Sequence, residues 1–138
     1  MKISKRFATG LLFLSASMSV LANDVYKADE THTVQFQKGK SSSIINGKVT
    51  GNQIVDYTLT AKQGQLMGVK LTGAWPRPNF NVITPSGEVI FVGTMSDTES
   101  FSGRLPSSGK YTLRIYQKGN AKDANETHSF KLAVKITK

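Results

Sequence analysis

An all-β fold, an antiparallel β-sandwich of about eight or nine short strands, is the architecture this sequence predicts, and three observations predict it. Apolar and polar residues alternate at period two in several stretches, most cleanly over residues 111–116 and 130–136. Glycine, proline and asparagine punctuate the chain between those stretches at short intervals. No stretch sustains a 3.6-residue apolar period over ten residues, which argues against bundles and βαβ units.

The chain opens with Lys2, Lys5 and Arg6 before an apolar run that reaches Leu21, and Val20-Leu21-Ala22 provides the small residues of a cleavage site. Residues 1–22 therefore read as a secretory signal peptide and residues 23–138 as a single β-sandwich domain. The run is too short and too rich in Ser, Thr and Gly to be a membrane span. With no cysteine there is no lipid-attachment site, disulfide framework or thiolate chemistry. The expected location is the periplasm, with no membrane anchor.

Residues 23–31 are polar. Val34 and Phe36 mark a first short strand, and residues 43–50 carry Asn46-Gly47, a hairpin signal or a bulge. Val55, Tyr57, Leu59 and Ala61 mark a half-buried strand; Lys62-Gln63-Gly64 turns the chain into another bearing Met67, Val69 and Leu71. Residues 75–79 cannot form a central strand, because Pro76 and Pro78 lack the ladder donor. Strands follow at residues 80–83 and 89–92 around a Pro85-Ser-Gly turn, and residues 101–105 lead into a small-residue loop. Residues 120–127 are polar and suit one or two helical turns, and Phe130, Leu132, Val134 and Ile136 form the last strand. The core expected from this alternation includes Tyr57, Leu59, Val69, Leu71, Phe80, Val82, Leu113, Ile115, Phe130, Leu132 and Val134.

The loop formed by Pro106, Ser107, Ser108 and Gly109 is the most distinctive local feature. Pro106 fixes one backbone angle and Gly109 can take positive φ, so a tight, preformed protrusion is expected, carrying the Ser108 hydroxyl, the Lys110 cation and the Tyr111 phenol. Tyr111 shares a face with Leu113 and Ile115. That phase points it inward, where its hydroxyl can brace the loop as a tyrosine corner does, although a contact role is the other reading. Arg114 and Tyr116 then lie on the outer face.

Catalytic constellations are absent from the pattern. His32 and His128 lie far apart without metal-ligand spacing, and Asp97 and Glu99, although on one face of an extended segment, sit in an exposed-looking loop rather than a shaped cleft. A non-enzyme is expected, with no cofactor and no metal. Removing Lys2, Lys5 and Arg6 takes the formal charge from +9 to +6, and the remaining basic residues are spread without runs. Such spacing suits solvated strand faces or attraction to an anionic surface, and does not make a nucleic-acid stripe. Trp75, the only tryptophan, is either an anchor or sugar-stacking platform or a lid over one end of the sandwich.

Three segments together resemble the periplasmic lysozyme inhibitors, most closely the family directed at invertebrate-type (i-type) lysozyme. They are Phe80-Asn-Val82 with Val89-Ile-Phe-Val-Gly93, then Phe101-Ser-Gly-Arg-Leu-Pro106, then Ser108-Gly-Lys-Tyr111 running into Leu113-Arg-Ile-Tyr116. The resemblance implies a lysozyme partner whose cleft is entered by the loop Ser107, Ser108, Gly109, Lys110 and Tyr111, with Ser108 and Tyr111 donating to the target's carboxylates. It also implies flanking contacts from Arg114, Tyr116, Lys118 and Lys122. A homodimer is the assembly alternative to a monomer. The chain departs from the family pattern at Gly119 and Asp123, where arginines are expected. Segments at residues 57–64 and 105–114 are also similar to the jelly-roll domains appended to secreted peptidases. That likeness implies a different function, a non-inhibitory glycan or cell-envelope binding module using Trp75 and the lysines.

Overall fold

The computed structural model describes residues 27–96 and 99–138. The signal peptide expected over residues 1–22 and the Asp97 carboxylate lie outside them. Nine strands form: β1 (Glu30–Thr33), β2 (Ser42–Thr50), β3 (Val55–Ala61), β4 (Leu66–Thr72), β5 (Asn79–Ile83), β6 (Val89–Val92), β7 (Ser100–Arg104), β8 (Gly109–Tyr116) and β9 (Thr127–Thr137). A 3-10 turn (Gly93–Met95) follows β6, and one short helix, α1 (Gly119–Asp123), joins β8 to β9.

The strands divide into two sheets. One has the order β1-β3-β8-β5-β6 and the other β2-β9-β4-β7. Every pairing is antiparallel except β1 with β3. Such a two-layer stack hides one face of each sheet, so period-two alternation is the pattern it demands. The strands flanked on both sides include β8 and β9, the two with the cleanest alternation. Tyr111, Leu113 and Ile115 of β8 face Phe130, Leu132 and Val134 of β9 across a single core. All eleven residues expected in that core are buried, and Val34, Val49, Val55, Met67 and Leu105 join them.

Two aromatic groups close the long sides of the sandwich. Phe80, Phe91 and Phe101 form a chain with ring centroids 4.9 and 5.5 Å apart, linking β5 and β6 to β7 in the opposite sheet. On the other side, His32 stacks on Tyr57 at 5.3 Å and Tyr57 meets Phe130 edge-on at 6.2 Å. Burial and the neighbouring Glu30 carboxylate both push the Tyr57 phenol above the ordinary tyrosine range, burial contributing more.

Two expectations need correction. The first strand is β1 rather than residues 34–36; Val34 is buried, but it follows the strand and donates its N–H to the Thr58 carbonyl. Asn46-Gly47 is neither hairpin nor bulge, because β2 runs through it in unbroken register with β9, Asn46 opposite Lys131 and Gly47 opposite Phe130. The glycine serves close packing: a Cβ at position 47 would stand 2.6 Å from the Phe130 ring and 2.7 Å from the Tyr57 hydroxyl.

Leu113 is fully buried in the middle of β8. Leu113→Ala should lower unfolding free energy by about 2–5 kcal/mol in urea titrations, with an unchanged slope. A second expectation concerns Tyr57. Because its folded phenol ionises above the unfolded value, the stabilisation is complete below about pH 10 and is lost as pH rises further. Thermal melts across the alkaline limb should show this loss, and Tyr57→Phe should flatten it.

Candidate functional site

The loop leading into β8 sits at one end of the sandwich among neighbouring turns that hold its shape. Leu105, almost fully buried, donates its N–H to the Gln65 carbonyl at 2.8 Å and accepts from the Gly64 N–H at 2.9 Å. Arg104 donates to the Gly64 carbonyl at 2.8 Å, and the Gln63 N–H donates to Ser108 Oγ at 2.8 Å. Gly109 takes φ of +140°, and a Cβ there would stand 2.8 Å from the Pro85 ring, so both conformation and space require glycine.

Tyr111 completes this brace from below. Its side chain is fully buried; its hydroxyl donates to the Ser107 carbonyl at 2.7 Å and accepts from the Ser107 N–H at 3.3 Å. Of the two readings of Tyr111 from sequence, the geometry realises the inward, loop-bracing one. Pro106, Ser108 and Lys110 are the exposed side chains of the loop. Ser108 accepts a hydrogen bond through its oxygen, which leaves its O–H to donate outward.

The other residues expected at the site are not gathered here. Arg114, on the outer face of β8, donates through Nε and through NH2 to the two Asp56 carboxylate oxygens, each at 2.9 Å. This cross-strand pair follows from register, Asp56 standing opposite Arg114, and it holds the guanidinium pKa above its usual value, chiefly through the hydrogen bonds. Tyr116 donates to Asn81 Oδ1 at 2.7 Å. Lys118 and Lys122, at and within α1, stand exposed at the opposite end of the sandwich, beyond the whole length of β8, roughly 25 Å away at about 3.3 Å per residue.

That opposite end carries a second feature, a pocket of about 650 Å³ between residues 75–79 and α1. Trp75 stands at its rim, 81% exposed, so it does not act as a lid over the core. Its bond to Pro76 is cis, and the Arg77 guanidinium lies 5.7 Å from the indole centroid. Arg77 also meets Glu99 at 3.5 Å. Glu99 thus precedes β7 as an ion-pair partner, and its expected pairing with Asp97 falls outside the described residues. Gln117, 5% exposed, donates to the Glu126 carbonyl at 2.9 Å and the Gly51 carbonyl at 3.3 Å. Sequence reasoning passed over Gln117, yet the signal was there: it continues the inward phase of Tyr111, Leu113 and Ile115 with an amide. Among the described residues, no group of three or more His, Cys, Asp or Glu is arranged to hold a metal ion.

Comparison with known proteins shows the family of the chain. The crystal structure of an Aeromonas hydrophila periplasmic inhibitor of g-type lysozyme, PliG, is 35% identical, with a TM-score of 0.70, over 80% of this chain and 100% of that one. The chain belongs to the PliG family. An Escherichia coli inhibitor of g-type lysozyme is 27% identical over 128 residues, 86% of this chain and 90% of that protein. A pre-peptidase C-terminal domain of Bacillus anthracis collagenase matches at 15% identity and a TM-score of 0.55 over 79% of this chain and 98% of that domain, a likeness of fold alone. No family model matches the chain.

Membership in the PliG family corrects the expectation of an invertebrate-type inhibitor, because the PliG relatives are inhibitors of g-type lysozyme. The physical reason is visible in the segments that carried the resemblance. Phe80, Val82, Leu113, Ile115 and Tyr111 are all buried, so these motifs encode a sandwich with a braced loop and say little about the target.

Tyr111→Phe removes only the hydroxyl. It should lower stability by about 1–3 kcal/mol in chemical denaturation, because the Ser107 N–H and C=O both lose their partner.

Proposed function

We propose that this chain is a periplasmic inhibitor of g-type lysozyme, acting by binding rather than catalysis. The observation that carries the proposal is the 35% identity to the Aeromonas hydrophila inhibitor across the whole chain of its crystal structure.

The inhibitory contact in this reading is the loop from Ser107 to Lys110, occupying the substrate cleft of the target. A glycosidase cleft presents carboxyl groups to its sugar. Ser108 and Lys110 are exposed donors suited to meet them, and a donor to a charged acceptor makes a stronger bond than a neutral pair. The hydrogen bonds from residues 63–65 and from Tyr111 hold the loop in one shape before contact, which lowers the ordering cost of binding. Tyr111 serves as the brace, not as a donor to the target. Arg114 and Tyr116 stiffen the sheet behind the loop through Asp56 and Asn81. Lys118 and Lys122, roughly 25 Å from the loop at about 3.3 Å per residue of β8, lie outside the loop contact itself. If the mature chain begins after Ala22, its formal charge of +6 disfavours a strongly basic target, so the partner is a neutral or weakly basic lysozyme.

The test is inhibition of a purified g-type lysozyme, with an invertebrate-type enzyme in parallel. Ser108→Ala and Lys110→Ala should each weaken inhibition of the g-type enzyme about tenfold or more, with a melting temperature close to that of the parent. Added salt should shrink the Lys110→Ala effect more than the Ser108→Ala effect. A parent protein that slows no g-type enzyme at micromolar concentration would sink the proposal. Full inhibition by the Ser108→Ala, Lys110→Ala double variant would move the contact away from this loop.

A further inference from the structure

We propose that the pocket beneath Trp75 is a binding site for a neutral saccharide, separate from the inhibitory loop and at the other end of the sandwich. This inference goes beyond the lysozyme reading and does not rest on it.

Four observations point to that ligand class. The first is Trp75 itself. A large aromatic side chain 81% exposed is unusual on a small domain, and here it stands at the rim of a concave site. With the Arg77 guanidinium near its ring, the indole offers a flat apolar surface of the kind on which the C–H face of a pyranose packs.

The second is the polar lining. Asn79, Gln117 and Asn120 contribute three amides, each able to donate and accept, which matches the paired hydroxyls of a sugar. The third is unmet hydrogen-bonding capacity. Gln117 Oε1, Glu99 Oε2 and Arg77 Nε are buried and have no hydrogen-bond partner among the described residues. Buried polar atoms are almost always paired, so three such atoms at one site call for an explanation. Gln117 is the most telling, since its amide nitrogen is held by two carbonyls and only its oxygen remains to accept. The three residues that carry these atoms line the pocket, and a ligand hydroxyl would reach the atoms with side-chain rotation of the kind common on binding.

The fourth observation is charge. Among the lining residues, Arg77 and Lys118 are balanced by Glu99 and Glu126, and Arg77 is already paired with Glu99. The site therefore attracts neither phosphate nor a cation, and a neutral polyhydroxylated ligand fits it. A volume of about 650 Å³ lies within the roughly 300–1,000 Å³ typical of small-ligand pockets.

The experiment is a ¹H–¹⁵N NMR titration of the full mature chain with cellotriose and, separately, tri-N-acetylchitotriose, each to about 10 mM. At least one sugar should bind with Kd on the order of 1 mM. Shifts should cluster at the Trp75 indole N–H, the Gln117 and Asn120 amides and the backbone of α1, and spare Ser108 and Lys110. Trp75→Ala should weaken binding about tenfold while leaving lysozyme inhibition unchanged. Asn120→Ala, an exposed position, should also weaken it and guards against a folding defect in the tryptophan variant. Absence of shifts with both sugars overturns the proposal, as do shifts that Trp75→Ala leaves intact. Loss of lysozyme inhibition in Trp75→Ala, without sugar binding by the parent, would make this end a protein interface and overturn it as well.

Discussion

The inward row of β8 is the constraint on which the rest of the structure depends. Tyr111, Leu113 and Ile115 occupy successive inward positions of a strand flanked on both sides, Gln117 continues their phase just past its end, and all four are buried. The middle two fill the core. The outer two carry polar groups, and each uses them to fasten the chain at its own end of the sandwich. Tyr111 holds both backbone groups of Ser107, and Gln117 ties β8 to the carbonyls of Gly51 and Glu126. Moving the register by one residue would put Thr112, Arg114 and Tyr116 into the core and release both ends together.

This arrangement separates the two surfaces of interest. At the start of β8 the loop's backbone is tied down by hydrogen bonds, and Pro106, Ser108 and Lys110 stand exposed. At its end the surface is concave, with an exposed tryptophan and buried polar atoms that have no hydrogen-bond partner among the described residues. The two ends differ in what they can recognise. In the two proposals the loop meets another macromolecule and the pocket with its aromatic rim takes a small polar ligand. The whole length of the sandwich core lies between the two ends.

The fold itself does not choose between such functions. The same sandwich serves inhibitors of g-type lysozyme and matches the C-terminal domain of a collagenase, with little identity in the second case. A sandwich core asks only for alternation and volume, so sequences diverge freely while the architecture persists. The replacement of expected arginines by Gly119 and Asp123 falls in α1, at the pocket end, and leaves the braced loop untouched.

The sequence by itself determined the fold class, most strand positions and the eleven core residues, because period-two alternation is a local signal that an antiparallel sandwich obeys directly. It also marked where the loop falls, since Pro106 and Gly109 restrict backbone angles, while contacts from residues 63–65, Pro85 and Tyr111 hold its shape. Only the tertiary structure decided which polar groups were already taken. Asp56 and Arg114 are 58 positions apart along the chain and meet through the register of β3 on β8, so no local pattern marks Arg114 as an ion-pair partner. The role of Gly47 was equally hidden, because the glycine answers to two rings, Tyr57 and Phe130, on different strands. Trp75 could be lid or platform until the packing of the end turns left it outside. Pairing and exposure are properties of strands brought together, and for that reason the chain's order alone does not contain them.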